Sequence, residues 1–291
     1  MGMTELILCC DLDRTLLPNG LQDESAQSRQ IFAEVIQQCG ITLVYVSGRD
    51  LGLIKEAIAQ YAIPIPAYAI CDVGTSMYQS DQQRWQPLEA WMNHLAQEWS
   101  EERRAQLTQQ FSEYPHLRLQ EPQKQGRFKL SFYTEPEVLD AAYIAGLEAD
   151  LAKAGFSACL ITSVDETKHI GLVDILPARA SKYHAIDFLV QHLDKTFADT
   201  VFAGDSGNDL PVITSEVPSV LVNNAQASVK AQAQQEVATK GTQLACYVAQ
   251  GNWHGLNGNY SAGILEGLVH YHPELSSQVT DIIRTVQQTV K

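Results

Sequence analysis

The sequence holds no unbroken apolar run approaching the roughly 18 residues that would carry a helix across a bilayer. Positive charge is also scarce, with 20 Lys and Arg against 34 Asp and Glu and a formal net charge of −14. A chain so acidic is repelled by nucleic acid and by anionic membranes, so neither is expected as a partner. If its ligand is an anion, positive charge must be gathered locally against the global field. The six cysteines (Cys9, Cys10, Cys39, Cys71, Cys159 and Cys246) form no CxxC pair and no regular spacing. That pattern is read as buried free thiols in a reducing compartment. Glu5 and Asp11 interrupt the first apolar stretch, unlike a secretory signal, and the expected location is cytoplasmic.

What is present is an ordinary globular composition. Of 291 residues, 45% are apolar and 19% charged, enough for one large domain or two modest ones with a real core. The first 80 residues alternate short apolar runs with helical spacing. "LILCC" (6–10), "ITLVYV" (41–46) and "AYAIC" (67–71) are continuous runs suited to strands covered on both faces. Helices are expected between them, over 25–38 and 51–61, which implies a parallel sheet with right-handed crossovers. Adjacent on one strand, Cys9 and Cys10 should face opposite sides of that sheet.

The character then changes. A long helical segment is expected from Pro87 to about Phe111, with Trp91, Leu95 and Trp99 spaced by four. "RFKLSFYTE" (127–135) alternates, with Phe128, Leu130 and Phe132 on one face and Lys129, Ser131 and Tyr133 on the other. That is the signature of a half-exposed antiparallel strand. A helix over 137–154 and strands over 158–164 and 171–177 complete an α+β unit. The parallel pattern returns with a helix marked by Ile186, Leu189, Val190 and Leu193 and strands at 200–204, 219–222 and 245–249. Residues 226–243 suggest a solvated helix, and Val279, Ile282, Ile283, Val286 and Val290 lie on one face of a last one. The expected fold is α/β: a Rossmann-like core over 1–80 and 175–291, with an α+β cap inserted over 81–174.

Four stretches carry chemistry, each after a strand or opening a helix, where α/β sheets place their ligands. In "DLDRT", Asp11 and Asp13 project the same way from extended chain and resist joint ionisation unless a cation or shared proton relieves them. They could simply form a turn, or they could pair a nucleophilic carboxylate with an acid and base. "VSGRD" offers the Ser47 hydroxyl and a close backbone approach at Gly48, though Ser-Gly also marks ordinary turns. Lys182 opens a helix, either as a solvated lysine or as a cation that neutralises phosphate and nearby carboxylates. "GDSGNDLP" (204–211) follows a strand with Asp205, Asn208 and Asp209, a polar turn whose oxygens also suit Mg²⁺.

In this order the four stretches resemble the motifs of the haloacid dehalogenase superfamily of phosphatases. The DxDxT motif matches Asp11, Asp13 and Thr15, the second-motif hydroxyl Ser47, the third-motif lysine Lys182, and GDxxxD Asp205 and Asp209. The resemblance implies that Asp11 attacks phosphorus, Asp13 acts as acid and base, and Mg²⁺ is held by Asp11, the Asp13 carbonyl, Asp205 and Asp209. It also implies that Thr15, Ser47, Gly48, Lys182 and Asn208 surround the phosphoryl group.

Further stretches ("VNNAQ", "FKLSFY", "VDILP" and "SAGILEGLVHY") are similar to the branch of sugar phosphatases containing sucrose-phosphate phosphatase. Hydrolysis of sucrose 6-phosphate is the implied activity, with mannosylfructose phosphate, mannosyl-3-phosphoglycerate or a hexose phosphate left open as substrates. A phosphotransferase and a non-catalytic partner of a sugar-phosphate synthase are the rival classes. A synthase stands as the candidate partner, and a monomer is expected with an oligomer left open. On the cap, Lys129, Ser131, Tyr133 and Asp174 are the candidate sugar-binding residues, with structural salt bridges as the alternative. The loop "GNWHGLNGNY" (251–260) is expected to connect a strand to its helix rather than to line the site. Tyr183 stands where the family commonly has glycine after the lysine, and would narrow the entrance if it faced the site.

Overall fold

The computed structural model describes residues 6–81, 84–165 and 168–289. Among these described residues twelve strands follow in chain order: β1 (Ile7–Cys10), β2 (Thr42–Val46), β3 (Tyr68–Cys71), β4 (Ser76–Asp81), β5 (Arg84–Pro87), β6 (Arg118–Leu119), β7 (Leu130–Thr134), β8 (Ala158–Asp165), β9 (Ile170–Pro177), β10 (Thr200–Gly204), β11 (Ser219–Leu221) and β12 (Cys246–Val248). Eight form one sheet in the order β12-β11-β10-β1-β2-β3-β4-β5, and four form a second, β6-β7-β9-β8.

In the large sheet the pairings from β12 to β3 are parallel, while β4 and β5 add an antiparallel hairpin at the edge. The chain leaves β1 towards β2 and β3 on one side, and later builds β10, β11 and β12 on the other. Strand order therefore reverses at β1, which opens a crevice at the carboxyl ends of β1 and β10. Both faces are covered. Cys9 joins the apolar cluster on one face and Cys10 the cluster on the other, as their alternation requires. The last helix, Ser276–Gln288, buries Val279, Ile282, Ile283 and Val286 in the second cluster, whereas Val290 lies outside the described residues.

The small sheet is antiparallel throughout. Its buried side chains Leu130, Phe132, Val173 and Ile175, with Phe128 just before it, belong to the same apolar cluster as the underside of the large sheet. Trp91 joins the two units: its ring is fully buried and its Nε1–H donates to the Gly74 carbonyl at 3.0 Å.

Two expectations about single elements are corrected. The helical segment from Pro87 to Phe111 is two helices, Glu89–Ala96 and Glu101–Phe111, because Ser100 caps a new one by accepting from the Arg103 N–H. Residues 127–129 precede β7 in a tight turn closed by Gly126 and Lys129. Across the expected breaks at 80/81 and 174/175, the β4–β5 hairpin pairs with β3 in the large sheet, and β9 runs on beside β8 in the small one.

Candidate active site

The site begins where β1 ends. The Asp11 N–H donates to the Ala203 carbonyl at 2.9 Å, which continues the sheet by one residue and fixes the carboxylate over the crevice. The chain then curls around Leu12, whose carbonyl accepts from the N–H groups of Thr15, Leu16 and Leu17. Helix Lys182–His192 enters from below, with the Ser181 hydroxyl accepting from the His184 N–H at its start. Lys182 is 2% exposed and donates from Nζ to Asp11 Oδ1 at 2.8 Å, Asp209 Oδ1 at 2.6 Å and Asn208 Oδ1 at 3.2 Å.

The turn after β10 is built around Asp209. Its second oxygen accepts from the Asp205 N–H, the Ser206 N–H and the Ser206 hydroxyl at 2.9–3.1 Å. Gly204 makes room for it, since a Cβ there would stand 2.7 Å from the Asp209 Cβ and Cγ. Asp205 accepts from the Thr15 hydroxyl at 3.1 Å, and Arg14 Nε stands 3.4 Å from its other oxygen. Asp11, Asp205 and Asp209 each place an oxygen within 4.8 Å of the others, and all three are buried.

Three carboxylates this close strain against ionisation. Burial, then repulsion from Asp209 and Asp205, holds the Asp11 carboxyl at about 7 even though Lys182 pulls it down. Burial and Asp209 likewise hold Asp205 at about 6 against Arg14 and Thr15. Burial would drive Lys182 neutral, but the charges of Asp11 and Asp209 outweigh it and keep the ammonium protonated. The local cations thus offset only part of the negative charge. A hard divalent cation with oxygen ligands fits this donor set.

Asp13 has a different environment. Its carboxylate accepts from Arg49 Nε at 2.8 Å, Arg49 Nη2 at 2.6 Å and Asn19 Nδ2 at 2.6 Å. Burial pushes this carboxyl up, but the hydrogen bonds and charge of Arg49 outweigh it and bring it below the usual carboxylate range. Its carboxylate is held by Arg49 and Asn19 and is not one of the three clustered with Asp11, Asp205 and Asp209. Ser47 is buried, with its hydroxyl accepting from the Arg49 N–H at 3.2 Å. Sequence reasoning did not single out Arg49, although it lies inside the quoted "VSGRD".

Above the crevice lies a cleft of about 500 Å³ between the two sheets. Gly48, Asp50 and Asp72 line it from the large-sheet domain; Lys129, Ser131, Tyr133 and Asp174 line it from the other. The four candidates on the cap thus converge on one cleft. Ser131 and Asp174 sit opposite each other on β7 and β9. Burial raises the Asp174 carboxyl, opposed by Ser131 and Lys129. Lys129 reaches across to Asp72 Oδ1 at 3.0 Å, so an ion pair and a place in the cleft coexist there. Tyr183 does not narrow the entrance: its hydroxyl donates to Glu216, and its ring packs near Phe197. Residues 251–260 tie Asn257 and Asn259 to the Asp23 carbonyl and do not line the cleft.

A model of the sucrose-6F-phosphate phosphohydrolase family matches residues 4–272. The chain belongs to this family. It is accordingly a haloacid dehalogenase-superfamily enzyme of the sucrose-phosphatase branch, a phosphoric monoester hydrolase. A putative haloacid dehalogenase-like hydrolase of Nitrosococcus oceani is 49% identical over 93% of this chain and 72% of its own. Sucrose-phosphatase 1 of Nicotiana tabacum is 29% identical over 76% of this chain, which spans 51% of that longer protein. The solved sucrose-phosphatase of Synechocystis, in complex with sucrose and phosphate, superposes with a TM-score of 0.73 at 25% identity, covering 92% of this chain and 98% of that one. Among the described residues no helix is long and apolar enough to cross a membrane.

Proposed function

We propose that this family member is a Mg²⁺-dependent phosphatase that hydrolyses sucrose 6-phosphate to sucrose and phosphate, in the cytoplasm. The observation that carries the reading is Lys182, buried and bonded to both Asp11 and Asp209 at the carboxyl ends of β1 and β10, with Asp205 beside them.

An Asp11 oxygen attacks phosphorus; the P–O bond to the sugar breaks, and an aspartyl phosphate forms. Water then attacks that phosphorus, releases phosphate and regenerates the Asp11 carboxylate. Lys182 stays protonated and offsets charge on the phosphoryl oxygens, while Ser47 and the Gly48 backbone contribute donors. Thr15 orients Asp205 through its hydroxyl, and Asn208 steadies Lys182. Asp11, Asp205 and Asp209, with the Asp13 carbonyl, would hold Mg²⁺, which supplies further neutralisation of phosphoryl charge when bound.

Asp13 gives a proton to the leaving sugar oxygen and later takes one from water. An ionised Asp13 has no proton to give, so its acid role requires proton uptake as the Arg49 contact loosens. The cleft residues Lys129, Ser131, Tyr133 and Asp174 contact the sugar.

The test is phosphate release, with Mg²⁺, from sucrose 6-phosphate, mannosylfructose phosphate, mannosyl-3-phosphoglycerate and hexose phosphates. The expected result is a strong preference for sucrose 6-phosphate. Preference for another member of the panel would replace the substrate and keep the chemistry; the absence of release from all of them would remove both.

A further inference from the structure

We infer that Asp72, on the large-sheet domain, is a positioning residue that fixes Lys129 in the cleft, so that this pair selects a neutral glycosyl leaving group. The inference rests on the sugar-phosphatase reading above.

Asp72 holds a left-handed backbone conformation (φ 51°), followed by Val73 at φ 63° and Gly74 at φ 111°. A β-branched residue in that region is strained, and such strain persists only where the surroundings impose it. Here they do. The Asp72 N–H donates to the Arg49 carbonyl and the Val73 N–H to the Ser47 carbonyl, each at 3.0 Å. Gly74 lies so close to the chain before Lys182 that a Cβ would stand 2.7 Å from the Ser181 carbonyl carbon and oxygen. The loop carrying Asp72 is thus registered to Ser47, Arg49 and Lys182 together.

Its carboxylate then reaches the opposite wall. Asp72 and Lys129 meet at 3.0 Å with side chains only 19% and 15% exposed. The other lysines of the cleft are anchored within the small-sheet domain, Lys124 to the Tyr133 hydroxyl at 2.9 Å and Lys168 to Asp165 at 3.6 Å. Lys129 is therefore the cleft lysine whose position is set by the catalytic domain. Its ammonium has three donors, so a bond to Asp72 leaves others for a sugar oxygen. A hydroxyl can also donate to Asp72 or Asp174, whereas a second anionic group would meet four aspartates, Asp50, Asp72, Asp165 and Asp174, against three lysines of which two are already paired to Asp72 and Asp165. The pair suits a neutral polyhydroxylated group and disfavours a phosphoglycerate ester.

The experiment compares sucrose 6-phosphate with p-nitrophenyl phosphate, which has no glycosyl group, in wild type, Asp72→Asn, Asp72→Glu, Lys129→Gln and the Asp72→Asn/Lys129→Gln double variant. Asp72→Asn should lower kcat/KM for sucrose 6-phosphate by roughly 10- to 100-fold, chiefly through KM, the scale of a charged hydrogen bond. That loss should exceed the loss on p-nitrophenyl phosphate by about tenfold. Lys129→Gln should match it, the double variant should be no worse than either single one, and Asp72→Glu should recover part. Equal losses on both substrates, with a lowered Tm, would reduce Asp72 to a structural role and overturn the inference, as would additive effects. If wild type prefers sucrose 6-phosphate and Asp72→Asn keeps that preference, the positioning role alone fails. If wild type hydrolyses p-nitrophenyl phosphate but no sugar phosphate, the sugar reading fails and takes this inference with it.

Discussion

The floor of the crevice and the cleft above it are built on opposite principles. Asp11, Asp205, Asp209 and Lys182 are each 5% exposed or less and held by contacts of 2.6–3.4 Å drawn from β1, β10 and one helix start. The cleft is lined by amides, one tyrosine and ion pairs that range from the largely covered Lys129–Asp72 to the exposed Lys168–Asp165. Side chains each held by several short, buried bonds have little room to move, whereas an exposed pair such as Lys168–Asp165 contributes little and exchanges readily with water or ligand. The floor therefore fixes one reaction, and the cleft can be retuned to a different leaving group without touching it.

The sharpest break in that comparison is Asp11→Asn. Turnover should fall by roughly 10⁴-fold or more, as for removal of other nucleophiles. The same change removes a carboxylate that burial and its neighbours disfavour, so the variant's Tm should equal or exceed that of the wild type. A lowered Tm would show that Asp11 is stabilising, contrary to its raised pKa.

Asp13→Asn should slow hydrolysis of a sugar phosphate by about 10²–10⁴-fold, the usual share of acid–base catalysis. With p-nitrophenyl phosphate, whose leaving group needs little protonation, the loss should be smaller. Full activity on the sugar phosphate would contradict the assignment.

A third effect is on stability. Asp11 at about 7 and Asp205 at about 6 lie above their ordinary value of 3.8, so the folded protein binds protons that the unfolded chain has released. Their contribution is fully present below about pH 4 and is lost as pH rises through about 6 to 7. Asp13 acts in the opposite sense, but its window lies below the ordinary carboxylate value. In EDTA, thermal unfolding should show Tm falling across about pH 5 to 7.5. Added Mg²⁺ should restore Tm more at the upper end, where the carboxylates are free to bind it. A Mg²⁺ shift that is equal at both ends would contradict a carboxylate site.

These responses separate what could be foreseen from what could not. Asp11, Asp205, Asp209 and Lys182 stand in short stretches whose order in the chain is distinctive, and the apolar runs around them announced the parallel sheet. Arg49 and Asp72 lie within or beside the same stretches, yet their significance comes from partners 36 and 57 positions away, which no local spacing encodes. The β4–β5 hairpin escaped because its residues are mostly half-buried or exposed and give no continuous apolar run. The alternation of Phe128, Leu130 and Phe132 was informative because one face of β7 is buried and the other faces a cleft. The helix break at Ser100 was hidden because the spacing of Leu95 and Trp99 continues through the turn.

The smallest expected effect is in the cleft. Lys168 pairs with Asp165 at 3.6 Å and is 66% exposed, so Lys168→Ala should change KM for a sugar phosphate by less than about fivefold and leave kcat nearly as it was. A larger change in kcat would mean that the cleft takes part in the chemistry.

The most direct test of this division is to mix excess enzyme with radiolabelled sucrose 6-phosphate and Mg²⁺, quench in acid within milliseconds, and map the label. A transient, acid-stable label is expected on the peptide containing Asp11, absent from Asp11→Asn and still formed by Lys168→Ala. Turnover of the labelled substrate with no label on that peptide, or with label persisting in Asp11→Asn, would contradict it.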